Sequence, residues 1–246
     1  TGFITGIKDT APDDVPKEKI RAVRRIVDDE PLLTSELFSL AKWMADYYLC
    51  PLGEIVSAMI PSGRRETGSG GFSFADDIPS GEAHNLSDEQ RRAVSDILSA
   101  KTKHARFHYV YGSTGSGKTE VFLRVAEAVL AQNKGVIYLV PEIGLTPQVI
   151  RAVRARFGNT AAVLHSGLTQ SRKFSEWKRI LRKEARVVVG ARSAVFAPVP
   201  DLGLIIIDEE HDASYKSGTT PRYHARQVAM YRASRSAIPL VMGSAT

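Results

Sequence analysis

Residues 107–119 read FHYVYGSTGSGKT and run straight into EVFLRVAEAVL. FHYVY has the β-branched and aromatic composition of a strand, and the segment after Thr119 has helical apolar spacing. Between them GSTGSGKT satisfies G-x-x-x-x-G-K-[ST] in full, in the strand–loop–helix setting where that signature works. Gly112, Gly115 and Gly117 let backbone N–H groups converge on a phosphate, with Ser113, Thr114 and Ser116 completing the cradle. The helix that follows adds the positive end of its dipole. Lys118 would then reach the β- and γ-phosphates, and Thr119 would set its hydroxyl on Mg²⁺.

The same alternation continues outward. GVIYLVP, AAVLHSG, ARVVVGA, LGLIIIDEE and IPLVMGSAT are β-rich runs, with amphipathic stretches such as TPQVIRAVRARF between most of them. Near-continuous apolar strands alternating with helices predict an α/β fold, a parallel sheet covered by helices on both faces. Ligands of such sheets bind beyond the carboxyl ends of the strands, where this chain carries GSTGSGKT, PEIG, GARS, DEEH and GSAT. In LIIIDEEH the isoleucines bury the strand, so Asp208 emerges at its tip, where an acid is costly without a cation. Asp208 would hold Mg²⁺ and Glu209 would orient or deprotonate the attacking water. His211, beside these acids, suits a coupling role better than a metal site.

Several motifs carry two readings each. Ser87 and Gln90 in LSDEQRRAV form a capping-box pattern, while the Gln90 amide could equally read an adenine. Thr146, Gln148, Arg192 and Ser193, in PEIGLTPQ and GARSAVFAP, offer donors to a phosphate backbone or cap helices. In SYKSGTTPRYHAR, Tyr215, Lys216, Arg222, Tyr223 and Arg226 could stack on and pair with single-stranded DNA, or form a solvated loop anchored by its tyrosines.

The 246 residues are 43% hydrophobic and 24% charged, the balance of a globular protein with a sizeable core. The net charge of +6 leans toward a polyanionic partner. No apolar run approaches the ~18 residues of a membrane span. Cys50 is the only cysteine, so neither a disulfide nor a cysteine-based zinc site can form within the chain, which suits the cytoplasm. Thr1 in place of Met suggests a segment boundary. The Gly- and Ser-rich stretch 64–85 reads as a linker, giving expected units 1–65, 66–85 and 86–246. In the first unit FITGI suits a strand. SELFSLAKWMADYYL suits a helix capped by Thr34 or Ser35, with Leu37, Leu40, Ala41, Met44 and Tyr48 on its apolar face and Pro51 and Gly53 stopping it.

Taken together, GSTGSGKT, PEIGLTPQ, LHSGL, GARSAVFAP, DEEH and GSAT closely resemble the first motor lobe of superfamily 2 helicases. DEEH followed by DASYK and RYHAR is similar to the replication-restart helicases of the primosomal protein N′ (PriA) family. WMADYYLCPLGE resembles the end of that family's 3′-DNA-binding domain. The resemblance spans Thr1 to Arg65 and Leu86 to Thr246. It implies a RecA-like P-loop lobe plus a small partial DNA-binding domain, using ATP and Mg²⁺ to unwind stalled forks in the 3′-to-5′ direction. Thr146, Gln148 and Arg192 would hold the tracking strand, and Ser244 and Thr246 would link nucleotide state to DNA contacts. Implied partners are forked or single-stranded DNA, other primosome proteins and single-stranded-DNA-binding protein. The family's second lobe, zinc region, winged helix and the front of its 3′-DNA-binding domain have no counterpart here, so weak ATP hydrolysis is expected of this chain alone. Pro221 also stands where the family's loop suggests an aromatic residue. The rival readings are another superfamily 2 translocase, or a nucleotide-binding interaction module.

Overall fold

Six short runs, five of them aliphatic and the sixth the aromatic FHYVY, form one sheet in the computed structural model. The structure describes residues 2–4, 6–7, 9–10, 16–28, 30–61, 85–99, 107–113 and 115–245, without the side chains of residues 17, 147 and 148. The strands are β1 (Phe107–Tyr111), β2 (Gly135–Leu139), β3 (Ala161–Leu164), β4 (Val187–Gly190), β5 (Leu202–Ile207) and β6 (Leu240–Ser244). They lie in the order β1-β6-β5-β2-β4-β3, every pairing parallel. Seven helices accompany them among the described residues: α1 (Ser35–Tyr47), α2 (Leu52–Met59), α3 (Asp88–Leu98), α4 (Lys118–Ala131), α5 (Pro147–Phe157), α6 (Gln170–Leu181) and α7 (Ala225–Ser236).

Successive side chains of a strand point to opposite faces, so a strand covered on both sides feeds two cores. Val136, Tyr138, Leu204 and Ile206 enter one cluster with residues of α3, α4 and α5. Ile137, Leu139, Ile205 and Ile207 enter the other, with α1, α2, α6 and α7. The predicted two-sided parallel sheet is therefore present. The edge strand β1 alternates instead between exposed and half-buried residues. Because all strands run the same way, the loops after β1, β2, β4 and β5 and the end of β6 share one edge of the sheet.

The N-terminal region departs from expectation in three ways. Phe3, Ile4, Gly6 and Ile7 form no strand and are exposed. No described strand lies beside them, and a strand without a partner leaves its backbone groups unpaired. Thr34 does cap α1, accepting from Leu37 N at 3.2 Å, and Leu37, Leu40, Ala41 and Met44 are buried as the periodicity requires. Pro51, however, opens a second helix, with Gly53 in its first turn.

Finally, the small N-terminal core is not separate. Residues Leu32 to Ile60 share one hydrophobic cluster with the sheet. Trp177 Nε1 donates to the Leu32 carbonyl at 2.9 Å, Trp43 stacks on Tyr231 at 4.0 Å, and Arg232 forks onto Glu36. The expected linker falls outside the described residues, apart from Asn85.

Candidate nucleotide site and the loops beside it

The loop after β1 turns through two left-handed glycines, Gly115 (φ +84°) and Gly117 (φ +83°), a region that side chains with a Cβ disfavour. Gly117 is the N-cap of α4. A Cβ at Gly112 would collide with Ser116 Oγ, and one at Gly117 with the Gln90 amide. The loop thus closes at backbone distance, and α4 begins at its end, as a phosphate cradle requires. Lys118 is only 8% exposed. Its Nζ donates to the Gly112 carbonyl at 2.6 Å and the Ser113 carbonyl at 3.4 Å, and lies 3.5 Å from Glu209 Oε1. A phosphate entering the cradle would exchange these carbonyl partners for its own oxygens.

Strand β6 sits between β1 and β5, so the loop and the β5 tip are two strand spacings apart, ~10 Å. A lysine side chain spans much of that gap. At the β5 tip, Asp208 Oδ1 accepts from Glu209 N at 3.0 Å and Oδ2 accepts from the Tyr138 hydroxyl at 3.0 Å. Burial pushes the Asp208 carboxyl above its ordinary value. The Tyr138 hydrogen bond and the Lys118 charge work against that rise, while Glu209 adds to it. The Thr119 side chain lies beside the same phenol. Thr119 and Asp208, the expected Mg²⁺ ligands, thus share a neighbour that sequence reasoning did not identify. Nothing in GVIYLVP distinguishes a hydroxyl with a task from one more aromatic core residue.

Glu209 adopts φ +43°, a strained conformation for a residue with a Cβ. The turn directs its Oε2 to Ala245 N at 3.1 Å, while Oε1 faces Lys118. His211 Nδ1 lies 3.1 Å from Ser244 Oγ and 3.9 Å from Glu209 Oε2. The β5 and β6 tips are therefore tied together at the residues expected to couple them; Thr246 is outside the described residues, as is Thr114. Gln90 satisfies both ends of its amide locally. Oε1 accepts from Ser87 N at 2.9 Å, completing a capping box, and Nε2 donates to the Ser116 carbonyl at 3.0 Å. That bond docks the start of α3 on the phosphate loop.

The expected DNA contacts divide. Thr146 caps α5, accepting from Val149 N at 3.4 Å, while the Gln148 side chain lies outside the described residues. Ser193 is exposed. Arg192 does not present its guanidinium freely: it donates to the carbonyls of Ser214 (3.2 Å) and Lys216 (2.6 Å), pinning the loop after β5. Tyr215 and Tyr223 are 0% and 4% exposed, so neither can stack on a base in this conformation. Tyr215 donates its hydroxyl to the Asp208 carbonyl at 2.7 Å, and Tyr223 packs on Phe196. Stacking by these two rings is thereby corrected: they anchor the loop. Arg226 is paired with Glu210 at 2.6 Å. Lys216 and Arg222 remain on the surface, Lys216 Nζ reaching the Arg222 carbonyl at 2.6 Å. This loop, Arg192 and Ser193 face α2 across a groove of about 610 Å³.

Among the described residues no cluster of three or more His, Cys, Asp or Glu could hold a metal ion, and no helix is long and apolar enough to cross a membrane.

Comparison with known proteins adds three relatives, each named Replication restart protein PriA. The protein of Treponema pallidum is 51% identical over 247 residues, covering 100% of this chain and 37% of its own length. That of Bacillus subtilis is 53% identical over 163 residues, 65% of this chain and 20% of its own. That of Haemophilus influenzae is 31% identical over 308 residues, 95% of this chain and 42% of its own. The chain therefore spans between a fifth and about two fifths of these relatives. The Haemophilus protein carries several tens of residues within the aligned span that this chain lacks, whereas the Treponema protein shares its compact spacing. The family model described as 3'DNA-binding domain (3'BD) matches residues 1–61. The model described as DEAD/DEAH box helicase matches residues 82–246, two thirds of the sequence, and the chain belongs to that family.

Proposed function

We propose that this chain is the DNA-binding and first motor portion of an ATP-dependent DNA helicase of replication restart. Its units are 1–65 for the DNA-binding part, 66–85 for the linker and 86–246 for the RecA-like lobe. The observation that carries the reading is the convergence of Lys118 with Glu209, 3.5 Å apart across β6, beside Asp208 at the same tip.

The cradle fits a nucleoside triphosphate. Its glycines stand where a Cβ at Gly112 or Gly117 would strike a neighbouring side chain, and a buried lysine sits at the N-terminus of α4. Thr119 and Asp208 supply the hard oxygens that Mg²⁺ selects, and the bound ion would neutralise charge on the β- and γ-phosphates. Residues 112–117 orient the phosphates through backbone N–H groups, and Lys118 exchanges carbonyl partners for phosphate oxygens. Glu209, held by Ala245 N, positions or deprotonates the attacking water. Gln90 lies against the loop, where its amide would read the adenine.

His211 and Ser244 carry the state of this site toward the DNA side. There Thr146, Gln148, Ser193, Lys216 and Arg222 would meet the strand, with Arg192 acting through the loop it holds. In this reading the substrate is forked or single-stranded DNA in the cytoplasm, unwound 3′ to 5′, with primosome proteins and single-stranded-DNA-binding protein as partners. Hydrolysis by this chain alone should be slow, since a charge stabiliser supplied by a second lobe is typically worth ~10³ to 10⁵ in turnover.

Titrating a fluorescent ATP analogue with and without a 3′-tailed fork tests the proposal. Each ligand should tighten the other by the same factor, and Lys118→Ala should abolish analogue binding. Binding that ignores the fork would favour a nucleotide-binding interaction module, and binding that survives Lys118→Ala would remove the site assignment.

A further inference from the structure

We propose that Tyr138 is a positioning residue for the magnesium site, holding the Asp208 carboxylate in place beside Thr119. The inference rests on the nucleotide site proposed above and adds to it a residue that no motif contains.

Tyr138 lies on β2, beside Ile206 of β5 and two residues short of the β5 tip. Its ring points into the cluster beneath α4, edge-on to Phe122 at 6.0 Å, and is 2% exposed. Among the described members of that cluster it is the one side chain with a polar atom. Packing would be served as well by phenylalanine, and a hydroxyl buried in apolar surroundings is unfavourable unless bonded. This hydroxyl is bonded to Asp208 Oδ2 at 3.0 Å, and the Thr119 side chain lies beside it. Thr119 lies in the first turn of α4 and Asp208 directly follows β5, so the phenol sits where two elements distant in sequence meet.

With Oδ1 fixed by Glu209 N and Oδ2 by Tyr138, the Asp208 carboxylate cannot rotate freely. Each oxygen keeps lone-pair capacity for a metal-bound water. Groups that orient metal ligands in this way typically change metal affinity by 10- to 100-fold when removed.

The test is a magnesium titration of fluorescent ATP-analogue binding by the 246-residue chain and by Tyr138→Phe. The variant should need about ten-fold more magnesium at its midpoint. Its analogue affinity in chelator should stay within about two-fold of the parent, because phosphate contacts are untouched. Tyr138→Leu, which also removes the ring, should lower the thermal midpoint without moving the magnesium midpoint further than Tyr138→Phe. An unchanged magnesium midpoint in Tyr138→Phe, alongside a parent that clearly depends on magnesium, overturns the inference and leaves the nucleotide site standing. Equal loss of affinity with and without magnesium would also overturn it, by showing a packing role alone. A parent indifferent to magnesium would instead remove the nucleotide site itself, and this inference with it.

Discussion

Replacing Arg232 by methionine should loosen the N-terminal helices from the sheet, and the structure sets the size of the effect. Arg232 lies on α7 with 1% of its surface exposed. Nε and one terminal nitrogen fork onto Glu36 at 2.9 and 3.0 Å, and the other terminal nitrogen donates to the carbonyls of Val195 (2.6 Å) and Ala197 (3.1 Å). Methionine fills much of the volume but restores none of these bonds. Glu36 has a 38% exposed side chain and sits in the first turn of α1, so water and the helix dipole can compensate it. The Val195 carbonyl belongs to a fully buried residue and has no such recourse, whereas the Ala197 carbonyl keeps Val199 N at 2.8 Å. At about 1–3 kcal/mol for the one buried carbonyl left unpaired, and about 1 kcal/mol for the bonds lost at Ala197 and Glu36, the loss comes to about 2–4 kcal/mol.

Both tryptophans of the chain report on this interface. Trp43 of α1 stacks on Tyr231 of α7, and Trp177 of α6 donates to the Leu32 carbonyl. With a urea slope of ~3 kcal/mol/M, the tryptophan fluorescence transition of Arg232→Met should move to lower urea by about 1 M. The far-UV dichroism of the sheet-and-helix lobe should shift less, because its other core contacts survive. A fluorescence midpoint within about 0.2 M of the parent would show that Glu36 and Arg232 do not hold the two parts together.

Three further perturbations have defined outcomes. Gly117→Ala places a Cβ at φ +83° and against the Gln90 amide. At roughly 1–2 kcal/mol for the left-handed backbone alone, calorimetry should find nucleotide affinity at least about ten-fold weaker. His224 caps α7 by accepting from Arg226 N at 3.2 Å, and burial, then the Arg226 and Lys216 charges, hold its pKa below 6.5 despite Glu210. The unfolded chain therefore takes up the proton first, so this contribution is complete above pH 6.5 and declines as pH falls toward the lower folded value; His224→Asn should flatten a thermal-melt series across that range. His211→Ala removes the contact with Ser244 while leaving the phosphate loop intact, so analogue affinity should hold and its response to a fork should shrink.

Local patterns in the sequence reveal the elements of this fold better than the contacts between them. The runs around VIYL and III are apolar on both faces, and a chain so patterned is buried between two layers. All six strands read correctly, the edge strand FHYVY from its β-branched and aromatic composition instead, as did the strand–loop–helix order around Lys118. FITGI failed because a strand is defined by its neighbour, and no described strand pairs with it. The helix does stop before Pro51, but the second helix that follows is not foreseen, although proline is equally at home where a helix begins. The shared core of the N-terminal helices and the sheet was illegible for another reason. Glu36 and Arg232 are 196 residues apart, and each alone looks like an ordinary surface charge on an amphipathic helix.

The tyrosines fail and succeed for the same reason: sequence shows that a ring carries a hydroxyl but not which way that hydroxyl faces. In SYKSGTTPRYHAR the mixture of aromatic and basic residues suggests a surface that binds bases, yet Tyr215 turns inward to the Asp208 carbonyl and Tyr223 lies under Arg192. Tyr138, in an apolar strand, suggests nothing beyond packing, yet its hydroxyl meets the Asp208 carboxylate. Asp208 is thus held through its backbone by one phenol and through its side chain by another. An acid at the tip of a buried strand is unfavourable unless its partners are supplied from outside the strand. Two buried tyrosines supplying them explain how Asp208 stays oriented, and why the loop that carries Tyr215 shows the solvent its basic residues Lys216 and Arg222 rather than its aromatic rings.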